Sequence, residues 1–163
     1  MKEFTSFGAF AAHLLTREVA IAASLRAGLG HVAREIEKTA KEEIGTYQPE
    51  AGPFPAWPAL AEATVDDRIR QGYSPDEPLL RTGELRDSIS HEVSGLEAVI
   101  GSTSDIALYQ ELGTSSIPPR PFLGPAAFRN KHKIIEAVGI AAVHGIAGGA
   151  PIEESLGYDF IAK

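Results

Sequence analysis

Residues 79–102 read LLRTGELRDSISHEVSGLEAVIGS, and within these 24 positions the spacing of apolar side chains changes from helical to alternating. The change decides the fold class, because everything around it is helix-patterned or proline-rich. Thr82 is a good N-cap for a single turn through Glu84 and Leu85, with the glutamate near the positive end of that turn. Ile89, His91 and Val93 then alternate with Ser88, Ser90, Glu92 and Ser94, the pattern of a half-buried strand. Ser94-Gly95 offers a tight turn into a second strand over Leu96–Ser102. Alternation is poorer there, since Val99 is apolar on the face shared with Glu97. A lone hairpin is marginal in water, so this one must pack on a helix or pair with further strands of its own chain or a neighbour's.

The helix is supplied upstream. Residues 5–44 contain no proline and place Leu15, Val19, Ala22, Leu25, Leu29, Val32, Ile36 and Ala40 at steps of three or four, which predicts one long amphipathic helix. Gly28 and Gly30 predict a bend or a close helix contact. Gly45 closes the helix, and residues 45–59, with four prolines between 47 and 58, form a Pro-rich loop or arm whose Phe54 and Trp57 should cover a surface, of this subunit or of another. A short helix is expected from Leu60 to Gln71, with Leu60, Val65 and Ile69 inward and Gly72 as its stop.

After the hairpin, Ser104 or Asp105 caps a helix, DIALYQEL, ended by Gly113. Next comes IPPRPF (117–122), where three prolines fix a stiff, extended strut. Pro125 is expected to open the last helix, which would turn Phe128, Ile135, Val138 and Ala142 toward the core. The tail, 148–163, carries Ile152, Leu156, Tyr158, Phe160 and Ile161, suited to docking on a neighbour. The expectation is a single α+β domain over 1–163: a long N-terminal helix and a C-terminal helix packed on a small antiparallel sheet, with Pro-rich loops and a motif-bearing core over 60–128.

Composition narrows the function. Hydrophobic residues make up 44% and charged residues 23%, a globular balance. A formal net charge of -7 disfavours a protein that coats nucleic acid through a basic surface. With no cysteine, disulfides and thiolate metal sites are excluded. The start lacks a charged segment followed by an unbroken apolar run, so a soluble, unexported chain is expected. His13, His31, His91, His132 and His144 are scattered without metal-ligand spacing, the serines lack a GxSxG setting, and the glycines near 139–149 form no phosphate loop. Neither an enzyme, a cofactor nor a metal is expected.

What stands out is the run of turns and struts between 79 and 126. Either Tyr109, Leu112 and Phe122 close a small core with Arg120 in solvent, or the strut presents Arg120 and Phe122 to a partner, arginine and aromatic rings being common interface anchors. Asp76, Glu77, Glu84 and Asp87 are the acidic candidates to pair with Arg120.

The succession WPALAEATVDDRIRQG (57–72), LLRTGELRDSI (79–89), a hairpin, VIGSTSDIALYQELGT (99–114) and IPPRPFLGPA (117–126) resembles the virion-morphogenesis, neck and tail-completion proteins of long-tailed phages. The matching positions include Trp57, Leu60, Thr64, Thr82, Gly83, Leu85, Ser88, Ile89, Tyr109, Gly113, Thr114, Pro119, Arg120, Pro121, Phe122, Leu123, Pro125 and Ala126. They span somewhat less than half the chain. Ala107-Leu108-Tyr109 departs from the usual aromatic-alanine order. The resemblance implies a non-enzymatic structural subunit of the virion neck, made in the host cytoplasm, acting as tail terminator, neck or tail-completion protein.

It also implies a homo-oligomeric ring, hexamer favoured over dodecamer, that contacts other neck and tail-tube proteins and no membrane. DNA would pass through its lumen without sequence-specific binding. Pro119, Arg120, Pro121, Phe122, Tyr109, Thr114, Trp57 and Phe54 are then the expected subunit-interface residues, and Thr82, Gly83, Leu85, Ile89, Gly113 and Pro125 the structural motif. The alternative is a non-enzymatic binding module presenting the Pro-Arg-Pro-Phe strut to a cellular partner.

Overall fold

A computed structural model describes residues 4–147. The expected docking of the tail lies outside the described residues. In chain order the elements are α1 (Phe7–Glu43), α2 (Glu62–Arg70), α3 (Glu84–Asp87), β1 (Ile89–Ser94), β2 (Glu97–Ser102), α4 (Asp105–Leu112), α5 (Leu123–Arg129) and α6 (Lys131–Ala147). The class is α+β, with one two-stranded antiparallel sheet.

α1 starts at Ser6, whose Oγ accepts from the Ala9 amide at 3.1 Å. It runs through Gly28 and Gly30 as one continuous helix. It stops at Ile44, which turns extended, and at Gly45, whose φ of 98° is open to glycine. The Gly45 amide then donates to Pro78 O at 2.8 Å, tying the end of the helix to the loop that precedes the hairpin.

The hairpin pairs Ile89 with Ser102 through Ser94 with Glu97 around a two-residue turn, with Gly95 at φ 59°. Its alternation is as expected on β1, where Ile89 is buried and Ser90, Glu92 and Ser94 are exposed. Val99 lies exposed on the outer face of β2, which accounts for the weaker pattern there. The sheet gains its stability by lying against α1, which also carries α5 and α6. One cluster joins Val32, Ile36 and Ala40 of α1 to Trp57, Ile89 and Phe122. No helix among the described residues is long and apolar enough to cross a membrane.

The expected faces and bounds of two helices are corrected. In α2 the buried residue is Arg68 and Ile69 is exposed, because the Arg68 guanidinium reaches inward to Ser74 O at 2.8 Å and Leu80 O at 2.9 Å. Leu60 precedes the helix rather than belonging to it. Pro125 does not open the last helix: α5 begins at Leu123, and the expected single helix divides at Asn130. Asn130 is buried there, donating to Thr39 Oγ1 at 2.8 Å and Ala126 O at 2.9 Å. The division shifts the helical phase, so Ile134 and Ala137 pack on the core while Ile135 faces solvent.

Candidate assembly surface and the strut behind it

The strut is held from both sides. Trp57 Nε1 donates to Pro121 O at 2.8 Å, a contact between residues 64 positions apart. Arg120 donates through Nε to Pro58 O at 3.2 Å and through Nη2 to Ala59 O at 2.9 Å. Its own amide donates to Gln110 O at 2.7 Å. Strut, proline-rich arm and α4 are therefore one locked unit.

The expected orientation of the strut is reversed. Phe122 is 0% exposed and Arg120 5%, and Pro121 and Trp57 are buried as well. These side chains fill the subunit instead of projecting from it, because the Trp57 indole and the Pro58 and Ala59 carbonyls give them partners within the chain. A strut offering Arg120 and Phe122 to any partner, phage or cellular, would have to abandon this packing. Arg120 pairs with none of Asp76, Glu77, Glu84 and Asp87 among the described residues; backbone carbonyls take its donors. Phe54 is half-buried on the same subunit, its ring so close over Gly124 that a Cβ there would lie 2.5 Å from the ring. The arm thus covers its own chain.

Pro119, Thr114 and Tyr109 remain on the surface, with Tyr109 about half exposed. They border an apolar face of α4 that has no partner among the described residues: Ile106, Leu108 and Leu112 are all exposed, and only Ala107 is buried. Leu112 and Tyr109 therefore do not close the core.

The motif residues hold this surface in place. Gly113 has φ 71°, and a Cβ on it would approach Pro119 Cδ and Ile117 O to 2.9 Å, so glycine alone permits the turn from α4 into the strut. Thr114 Oγ1 accepts from the amides of Ser116 at 3.2 Å and Ile117 at 3.1 Å. Gly83, at φ 91°, occupies the N-cap position of α3, while Thr82 Oγ1 accepts weakly from the Glu84 amide at 3.4 Å. Leu85 and Ile89 point into the core and Pro125 is buried in α5.

Sequence reasoning missed Glu111. Its carboxylate accepts three backbone N–H groups, from Phe122 at 2.8 Å, Leu123 at 3.0 Å and Gly124 at 2.9 Å, and so caps α5 from α4. The only signal was an acid eleven to thirteen residues before the amides it caps. Glu43 is 3% exposed and paired with Arg129, which also reaches Gln48 Oε1 at 2.8 Å. Burial pushes the Glu43 carboxyl up to about 7, with the nearby Glu111 charge adding to the rise and Arg129 opposing it.

The fold also assembles one pair that the linear spacing hid: His91 Nδ1 meets Glu37 Oε2 across 54 positions. Lys41 and His91 together hold Glu37 below its ordinary value. Arg34, Lys38, Lys41 and Arg86 surround this pair in a shallow cleft, so it is a solvated charge network. No group of three histidines or carboxylates suited to a metal occurs among the described residues.

No protein-family model, curated protein or solved structure matches this chain. Its functional reading rests on the motif string and on the surfaces just described.

Proposed function

We propose that the chain is a structural subunit of the phage neck, forming a closed ring at the head-to-tail junction in a tail-terminator, neck or tail-completion role. The reading is carried by the ordered motif string between Trp57 and Ala126, whose members converge on one locked unit that braces an exposed apolar helix, α4. Ring closure needs one patch of a subunit to fit a different patch on the next. The expected peg of Arg120 and Phe122 is replaced by Tyr109, Thr114, Pro119 and the α4 face, which the buried strut holds rigid. Exposed apolar residues of α1 and α6, among them Val19, Leu15 and Ile140, offer the second kind of patch. The net charge of -7 suits a conduit through which DNA slides with little adhesion.

Native mass measurement across a concentration series, with negative-stain images in the presence of tail tubes or connectors, tests the proposal. Closed oligomers of six or twelve subunits that join these particles are expected. A strict monomer that never joins them would reject it.

A further inference from the structure

Two arginines of this subunit are buried without a carboxylate. Arg68 and Arg120 are each 5% exposed. Both donate only to backbone carbonyls, and neither enters an ion pair among the described residues. Carbonyls satisfy N–H donors but bring no net negative charge, so among the described residues nothing compensates these two cations. Desolvation already lowers the Arg120 guanidinium from its usual value.

Both arginines line one groove of about 550 Å³ between the 59–64 segment, the 79–84 turn and the start of the strut. Its walls are apolar at Leu60, Ile106, Ile117 and Pro118. The third arginine there, Arg81, is taken by Asp67 at 2.9 Å. Glu84 is the one acidic side chain on the lining and pairs with neither buried arginine. In the same wall the side-chain oxygen of Gln110 is buried with no hydrogen-bond donor. The groove therefore asks for negative charge, apolar side chains and an N–H group together, which is the chemistry of an acidic, apolar peptide; a phosphate backbone supplies only the first.

We infer that this groove receives the segment following α6 from a neighbouring copy, an inference that rests on the ring reading. Residues 148–163 interleave Glu153, Glu154 and Asp159 with Ile152, Leu156, Tyr158 and Phe160, matching charge to charge and apolar to apolar. The position of α6 favours a neighbour as the source. α6 runs antiparallel to α1, Asn130 meeting Thr39 and Lys133 meeting Glu35, so Ala147 lies abreast of roughly residue 21 of α1 at about 1.5 Å per residue. The groove adjoins the opposite end of α1, where Gly45 bonds Pro78, about 35 Å away. Crossing that distance within one subunit would spend roughly ten fully extended residues, carrying Glu153 and Glu154 past before the groove is reached. A subunit placed alongside receives them directly.

The chain has no cysteine, so single thiols report the contact without background. Full-length Ile106→Cys and Leu156→Cys proteins are mixed and oxidised gently, with Leu96→Cys at the exposed hairpin turn as the control for random collision. A disulfide between the Ile106→Cys and Leu156→Cys chains, and none with the control, is expected. In parallel, the full chain carrying Glu153→Gln, Glu154→Gln and Asp159→Asn should assemble at about tenfold higher concentration while its circular dichroism is unchanged. Normal assembly by that triple variant overturns the inference while leaving the ring intact. So does a disulfide that forms only within one chain of a diluted double-cysteine variant, or shielding of the Ile106→Cys thiol by a single-stranded oligonucleotide but not by assembly. Wild-type protein that stays monomeric at every concentration removes the ring reading itself.

Discussion

The two halves of α1 carry one apolar stripe and have opposite fates. Toward the C-terminal end, Val32, Ile36 and Ala40 are buried under the hairpin, α5 and α6. Toward the N-terminal end, Leu15 and Val19 continue the same spacing but are 64% and 70% exposed, and Phe7 is 84% exposed. The helix is roughly 55 Å long at 1.5 Å per residue, and the described elements packed on it run out before it does. Periodicity marks the face that wants a partner; it does not say whether the partner lies in the same chain.

The contrast is broken most forcefully at the covered end. Phe122→Ala leaves a cavity beneath the strut and should cost about 3–5 kcal/mol, so calorimetry or denaturant unfolding of the subunit registers the loss before any assembly assay does. Ile36→Ala should cost about 2–5 kcal/mol by the same measurement.

Glu43 gives a pH-dependent version of the test. With its carboxyl raised to about 7 from an ordinary 4.5, the folded subunit keeps a proton that the unfolded chain releases. The resulting stability is complete below about 4.5, declines as pH rises through that window, and is gone once pH passes about 7. The decline is on the order of 3 kcal/mol and should be absent from Glu43→Gln, which is read from urea midpoints of the two proteins between pH 4 and 8. Equal slopes would show that Arg129 compensates the buried charge fully.

Glu111→Gln keeps the shape of the side chain but turns an amide group toward one of three N–H donors. A loss of about 2 kcal/mol is expected, with faster amide exchange at Phe122, Leu123 and Gly124. The smallest effect belongs to the uncovered end. Val19→Ala should change subunit stability by no more than about 0.5 kcal/mol, and a loss as large as that of Ile36→Ala would mean that both halves are covered alike.

Much of the fold was legible in the residues. Gly45 and Gly113 sit at element ends, and the 79–102 stretch turned from helix to hairpin where its spacing said it would. The faces of α2 and α6 were less legible. One depends on a buried arginine that reaches carbonyls in the following loop, and the other on an asparagine that splits a helix; both are contacts that apolar spacing does not encode.

The candidate site was legible as a place and misread in direction. Prolines around Arg120 stiffen the strut equally well whether its side chains face outward or inward. The inward choice is made by Trp57 and the carbonyls of Pro58 and Ala59, more than sixty residues upstream.

By itself the sequence determined what local physics controls: where the backbone can be helical, where it must turn, which segment is stiff and which stripe is apolar. Only the tertiary structure decided which parts of those surfaces are covered, because coverage depends on which distant segments arrive opposite them. The same separation left Arg68 and Arg120 in one groove without a carboxylate partner among the described residues and brought Glu37 to His91, since charge pairing acts through space and is indifferent to order along the chain.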